Sequence, residues 1–421
     1  LAKLELPATY DAERGWDQEL AWVPEHAGSF PITTAPRADV VAYLLASSGG
    51  YTVQAREAGT GRVRFTSKLW NPPPQMDGAE GDPSMGEPAE IPDVITVEQD
   101  GREYIVAYSH GMKGEDELHD GKEVVQLAFY EVQGKGDQVE PVREVSVPVS
   151  PGDDSLRVRD GGAGLLITWG QGMTNTTFGT RVDMASGKVT PYGSADDILS
   201  PCADRACYGS RVAALSPGGP VVAMNGGGFG VEGNWLSRDV VPQGAPARWG
   251  FVGGWNGAVR GAASGHLVAS WQTGANRDDA PIWTLHDTGT GKVMASVACL
   301  DPNTSSADDR IPSLTVSANN RYVGAGSVVF DREKKTGTCL SGDGDRKAVI
   351  IGTIDNDGMA YGAVAAEAGS EGVAVQVPLN SAQPKALATG TKLPLRALKT
   401  TGLFVDRNTD DIPVLSLRVR R

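Results

Sequence analysis

The stretch YTVQAREAGTGRVRFTSKLW, residues 51–70, joins two runs of alternating apolar and polar residues through a Thr-Gly hinge. Nearly the same phrase returns as WTLHDTGTGKVMASVACL at 283–300, and more faintly as TRVDMASGKVTPY at 180–192. A period-2 pattern broken by a tight turn is a half-buried antiparallel hairpin. When the hairpin recurs, each copy is one supersecondary unit that cannot bury its own faces and must lean on its neighbours. No long window carries apolar residues at i, i+3, i+4 and i+7, so helix signals are almost absent, and the recurrence directs the search to the other copies.

A strand, a polar turn and a small-residue strand recur as TVEQDGREYIVAYSHG at 96–111 and LRVRDGGAGLLITWGQG at 156–172. The pattern continues as VAALSPGGPVVAMNGGG at 212–228, VRGAASGHLVASWQTG at 259–274, SLTVSANNRYVGAGS at 313–327 and IGTIDNDGMAYGAVAA at 351–366. Looser copies stand at 30–48 and 397–413. Eight units in 421 residues average about 53 each, near the four-stranded propeller blade. The reading is an all-β, eight-bladed β-propeller forming a single domain over 1–421. Its blades fall near 28–70, 91–147, 155–192, 208–250, 255–300, 311–343, 348–390 and 396–421. Seven blades is the alternative, should the glycine-rich fourth unit not form a full sheet. The last unit stops after its third strand, and WDQELAWV at 16–23 alternates well enough to supply the fourth. The ring is therefore expected to close by pairing residues near 18–23 with residues near 414–420. Residues 71–92 interrupt the pattern as a Pro-, Gly- and acid-rich insertion read as a solvated loop, and 111–123 reads as a charged loop.

The phrases VQAREAGTGRVRF and LHDTGTGKVMA resemble the pyrroloquinoline-quinone-type propeller repeat, whose third and fourth strands meet at a Thr-Gly turn. VSANNRYVGAGSVVFD is similar to surface-layer and WD-type repeats. The quinone enzymes of that family carry adjacent cysteines and a calcium-bound aspartate. No two cysteines are adjacent here, so the resemblance implies the non-catalytic, exported, often lipid-anchored members, which act as scaffolds or binding platforms.

The net charge of −14 argues against a nucleic-acid partner, which needs a basic face, and favours a soluble monomer. Of the four cysteines, Cys202 and Cys207 share one loop, and pairing them with each other and Cys299 with Cys339 is the simplest of three connectivities. No apolar run reaches the length of a membrane span. The chain does not begin with Met and shows no signal peptide, from which a removed leader is expected. These points together lean towards an exported protein, outside the cell or in the envelope, and are compatible with a lipid anchor ahead of residue 1.

In a propeller the loop after each second strand shares one rim with the link into the next blade, and loops on a rigid scaffold carry binding. The matching positions gather Trp169, Gln171, Asn175, Trp271, Gln272, Asn276, His110, Asn225 and Trp255 at one mouth. Aromatic planes with amide donors suit a sugar, a peptide or a cell-wall fragment. The plainer reading has these Trp residues wedged between blades. Asp406, Asn408 and Asp410 alternate like a calcium loop, although Asp411 stands where such loops want Gly. No other cofactor is indicated. No HExxH helix or GxSxG elbow occurs among the chain's five histidines, and His286 reads as structural. The expected function is an exported, non-catalytic platform for a protein or cell-surface ligand. The alternatives are a carbohydrate lyase or hydrolase at the channel mouth, marked by buried ionisable groups with raised pKa, and a purely architectural scaffold.

Overall fold

Val40, Val41, Ala42, Tyr43 and Leu44 lie consecutively on one strand, and all five are buried. Successive side chains of a strand point to opposite faces, so both faces of this sheet are covered. Val40, Ala42 and Leu44 pack against Val94, Ile105 and Ala128 of the following sheet. Val41 and Tyr43 pack against Leu403, Leu415 and Leu417 of the last one. A sheet with two apolar faces has to sit between two others, which is the condition a propeller blade satisfies.

The computed structural model describes all residues except 152–155, 171–176, 201–208, 250–253, 275–278, 301–313, 344 and 365–371. The chain is an all-β, eight-bladed β-propeller; among the described residues there are eight blade sheets, five of them built from four consecutive antiparallel strands, and a short two-stranded ribbon, Arg248–Trp249 with Gly254–Trp255. Among the described residues the helices are the single 3-10 turns Ala195–Asp197 and Ser237–Asp239. The chain divides into two compact units, one holding 1–150, 183–189 and 394–421, the other holding 151–182 and 190–393.

In the first unit, blade 1 runs Ile32–Ala35, Val40–Ser47, Gly50–Glu57 and Val63–Ser67, and Gly136–Val139 adds a fifth strand in parallel. Blade 2 runs Asp93–Gln99, Arg102–Asp116, His119–Glu131 and Arg143–Pro148. Blade 8 runs Arg396–Ala397, Thr401–Arg407 and Pro413–Arg420, and its fourth strand is Tyr10–Glu19 from the other end of the chain. Trp16 pairs with Leu417 and Glu19 with Val414, so the ring closes as expected. The closing strand begins earlier than 16, however, and stops at Glu19. Leu20 and Val23 turn inward instead, because they fill the seam between blades 8 and 1. Gly15 is required at the bulge in this pairing: its φ is +149°, and a Cβ there would lie 1.8 Å from the Leu417 carbonyl oxygen.

One sequence expectation in this unit is corrected. Residues 111–123 are not a loop, since the second and third strands of blade 2 stay paired out to Asp116 and His119. Backbone pairing sustains the ladder where the side chains are polar and exposed, so no apolar alternation marks it in the sequence. Residues 71–92 form no blade strand but fold back onto the unit. Ala89 pairs with Ala27, Gln75 pairs with Gly111, and Ala79 and Ala89 are buried.

In the second unit, blade 3 comprises Arg157–Asp160, Leu165–Gly170, Thr177–Val182 and Val189–Ser194. The glycine-rich fourth blade is complete, with strands Arg211–Ser216, Gly219–Ala223, Phe229–Val231 and Trp235–Leu236, which gives eight blades rather than seven. Blade 5 spans Ala258–Ala298, blade 6 Thr315–Cys339 and blade 7 Val349–Ala386, each with four strands. Leu267, Ala269 and Trp271 face blade 4, while Val268 faces blade 6. Cys299 and Cys339, at the ends of the outer strands of blades 5 and 6, are disulfide-bonded with their Cα atoms 5.4 Å apart. Cys202 and Cys207 lie outside the described residues.

Candidate functional site

The rim expected from the sequence is largely interior in the second unit. Trp271 is fully buried in the seam between blades 4 and 5, edge-on to Phe229. Its indole N–H donates to Thr284 Oγ1 at 2.7 Å. Thr284 Oγ1 lies 2.7 Å from His286 Nε2, and His286 Nδ1 donates to the Gly291 carbonyl at 2.8 Å. Burial pushes this histidine down to about 4, so it is a neutral structural residue. Trp169 is buried and stacks on Phe178, its partner across the strand pair. The end of a second strand is still inside the seam, and a large indole there serves as core. Trp255 is half-buried beneath the Arg238 guanidinium, 4.7 Å away. Gln272 is half-buried and Asn225 exposed. Gln171, Asn175 and Asn276 lie outside the described residues. The expected aromatic mouth therefore loses its two central indoles to the core.

In the acidic turn of blade 8, Asn408 Oδ1 accepts from the amides of Asp410 and Ile412, both at 3.0 Å. That oxygen is committed to the turn, which is how Asn commonly closes one. No group of three His, Cys, Asp or Glu residues suited to a metal occurs among the described residues.

His110, the remaining rim candidate, lies in the first unit in a denser ionisable setting. It sits midway along the second strand of blade 2, with its side chain 10% exposed. Nδ1 is 3.1 Å from Glu90 Oε1 and Nε2 is 2.7 Å from Glu123 Oε1. Glu90 comes from the insertion and Glu123 from the neighbouring strand. Burial pulls the imidazole pKa down, but the two carboxylates outweigh it and hold His110 above its ordinary value. Two residues earlier on the same face, Tyr108 pairs with Asp93, the first residue of the blade. Asp93 is 8% exposed, and burial pushes its carboxyl up to about 6 against hydrogen bonds from Ser29, the Val94 amide and Tyr108. Tyr108 Oη reaches Asp93 Oδ2 at 3.4 Å.

Beside this cluster the insertion borders an open surface pocket of about 700 Å³, lined by Pro24, His26, residues 75–80 and Ala89, Glu90 and Ile91. Its wall is held by main-chain bonds. The Glu90 amide donates to the Ala79 carbonyl at 2.7 Å, and the Met112 amide to the Pro74 carbonyl at 2.9 Å. His26 Nε2 donates to the Glu80 carbonyl at 2.8 Å, and Gln75 Nε2 to the Glu90 carbonyl at 2.7 Å. Gly111 has no room for a side chain, because a Cβ would meet the Pro74 oxygen at 2.1 Å. Sequence reading found His110 but not Glu90, Glu123, Asp93 or Tyr108. The available signal was the insertion itself, placed directly before a blade whose hairpin overruns its neighbours.

No protein-family model matches the sequence, and no curated protein matches it. Among solved structures the chain is similar to the Dos1 propeller, at 12% identity over 96% of this chain and 95% of that one, with a TM-score of 0.39. It is similar also to an uncharacterized protein from Listeria monocytogenes, at 9% identity over 96% and 91% of the two chains, TM-score 0.39. A third likeness is to the β-propeller domain of the Trilobed protease from Pyrococcus furiosus, at 11% identity over 92% and 94%, TM-score 0.37.

Proposed function

We propose that this propeller is an exported binding platform, and that its ligand, a protein or a cell-surface component, is held by the insertion and the long hairpin of blade 2. The observation that carries this reading is the open pocket of about 700 Å³ that residues 75–80 and 89–91 form with Pro24 and His26, beside the Glu90–His110 contact and the Met112–Pro74 bond that tie the insertion to blade 2. Loops mounted on a rigid scaffold are where binding concentrates. Export is supported by the Cys299–Cys339 disulfide, since such bonds persist in oxidising compartments. No helix of the described residues is long and apolar enough to cross a membrane. The Thr-Gly hinges, similar to those of quinone-type repeats, fit a non-catalytic member of that class.

A thermal-shift screen of the full chain against glycans and peptides tests the reading. At least one ligand is expected to raise Tm, and the shift should vanish when residues 75–90 are replaced by a Gly-Ser linker of equal length. A ligand whose shift survives that replacement places binding elsewhere and defeats the proposal.

One observation favours a second reading, a carbohydrate lyase or hydrolase. Asp93 is a carboxyl that burial pushes up to about 6, and His110 lies two positions beyond its strand partner Tyr108. Groups tuned towards pH 7 suit general acid–base chemistry. Release of unsaturated or reducing ends from a polysaccharide panel, lost in Asp93→Asn, would establish this reading in place of the first.

A further inference from the structure

We propose that the turn between the second and third strands of blade 4 is a self-modification site, at which Asn225 deamidates through its junction with Gly226 to give isoaspartate and aspartate. The co-reactant is water, and the inference stands apart from the platform reading.

The sequence holds two Asn-Gly pairs, Asn225-Gly226 and Asn256-Gly257, and the structure sets them apart. Asn256 is 3% exposed. Its Nδ2 donates to the carbonyls of Pro246 at 2.9 Å and Gln272 at 2.8 Å. Its Oδ1 accepts from the amides of Gly257 at 2.8 Å and Gln272 at 3.1 Å. Asn225 and Gly226, by contrast, are both exposed. Among the described residues neither the Asn225 side chain nor the Gly226 amide has a hydrogen-bond partner. The turn is held from its flanks instead. The Met224 amide donates to the Gly228 carbonyl at 2.9 Å, and the Gly227 amide to the Met224 carbonyl at 3.1 Å. Rotation of the Asn225 side chain therefore breaks no bond on which the turn depends.

The reaction needs the nitrogen of the following residue to reach the side-chain carbonyl carbon. Hydroxide takes the proton from the Gly226 amide, and that nitrogen attacks Asn225 Cγ. The new C–N bond closes a succinimide ring, the Cγ–Nδ2 bond breaks, and Nδ2 leaves as ammonia with a proton from water. Water then opens the ring at one carbonyl or the other, giving isoaspartate or aspartate with no change of oxidation state. Gly226 has no Cβ to crowd the approach of its nitrogen. At Asn256 the same approach would break four hydrogen bonds in a site closed to hydroxide. The product places a carboxylate at a position that the sequence assigns to the rim.

The test ages the full chain at mildly alkaline pH in water enriched in heavy oxygen, then digests it and maps the peptides by mass spectrometry. The peptide holding Asn225 is expected to take up the heavy oxygen at least tenfold faster than the peptide holding Asn256, and to appear in both isoaspartate and aspartate forms. In denaturant the two peptides should react at rates within twofold of each other, because both are then free Asn-Gly pairs. Gly226→Ala, which adds a Cβ beside the attacking nitrogen, should slow the reaction at Asn225 at least tenfold. Equal rates at Asn225 and Asn256 in the folded chain overturn the proposal, as does an Asn225 that reacts only in denaturant. Aspartate formed at 225 without isoaspartate means direct hydrolysis with no ring, and also overturns it. An Asn225 rate unchanged in Gly226→Ala removes the role given to the glycine nitrogen and overturns it too.

Discussion

Arg418 and Asp17, 401 residues apart in the chain, are joined by a 2.6 Å hydrogen bond across the strand pair that closes the ring. The guanidinium is fully buried and donates also to the carbonyls of Trp16, Leu417 and Ala2. Asp17 Oδ2 accepts from the Ala2 amide. One cation thus ties the first strand, the last strand and the segment before the first strand. Removing the carboxylate leaves a buried charge uncompensated, so Asp17→Ala should cost about 3 kcal/mol in chemical denaturation. Replacing both partners, Asp17→Leu with Arg418→Met, should cost less than that single change.

The same pair makes a pH prediction. Burial raises the Asp17 carboxyl, but the bonds from Arg418 and the Ala2 amide outweigh it and hold the group below its ordinary value. With the folded pKa depressed, the unfolded chain takes up the proton first as pH falls. The contribution is full above the unfolded value, about 4, and is lost as pH drops through the folded one. Asp17→Asn should therefore show a smaller loss of stability than the unmodified chain between pH 4 and pH 2.

Asp93 works in the opposite direction. Burial raises its carboxyl to about 6, so the folded state binds the proton more tightly than the unfolded chain does. Stability from this group is present below about pH 4 and is lost as pH rises to 6, by at most about 3 kcal/mol. Asp93→Asn, which keeps the shape without the charge, should flatten that slope and leave the protein at least as stable at pH 7. A variant that keeps the original slope would assign the effect to another group.

How much of this was legible in the sequence depends on what each residue answers to. Val40 to Leu44 could be read because a strand buried on both faces leaves an apolar run between turn residues, and the Thr-Gly hinges set the period. Blade count followed from that period. The paired hairpin at 111–123 was not legible, since Lys113, Glu115 and Asp120 are exposed and the ladder there rests on backbone bonds. The position of Trp271 along its strand points to the rim in the sequence, yet the residue is core. Whether that position projects past the seam depends on Phe229 of the neighbouring blade, which no local pattern reports. His110, Glu90 and Glu123 meet only because the insertion folds back, so their spacing forms no motif.

His110 is the tie between that insertion and blade 2. Glu90 and Glu123 keep it charged to a higher pH than an ordinary histidine, with burial opposing them. Its stabilisation is complete below about pH 6.5 and is lost as pH rises through the elevated folded value. Hydrogen–deuterium exchange should show protection of the Glu90 and Met112 amides falling over that range, beyond the intrinsic rate change. His110→Ala should lower their protection at least tenfold at pH 6 and remove the pH dependence, with the amides of blade 7 unaffected.

The disulfide offers a separate lever in the second unit. Cys299 and Cys339 are 40 residues apart and close a loop that spans the passage from blade 5 to blade 6. Cross-linking a loop of that length removes unfolded-state freedom worth about 4 kcal/mol in the chain-entropy picture. The bond also staples two blades whose shared seam contains Trp283, Leu285, Val323 and Phe330. Cys299→Ala with Cys339→Ala should lower the denaturation midpoint and, because a propeller depends on every seam, do so for the whole transition of this unit. A reductant should reproduce the shift in the parent chain and leave the double variant unmoved if this bond is the one responsible. A larger reductant effect remaining in the double variant would transfer the stabilisation to Cys202 and Cys207.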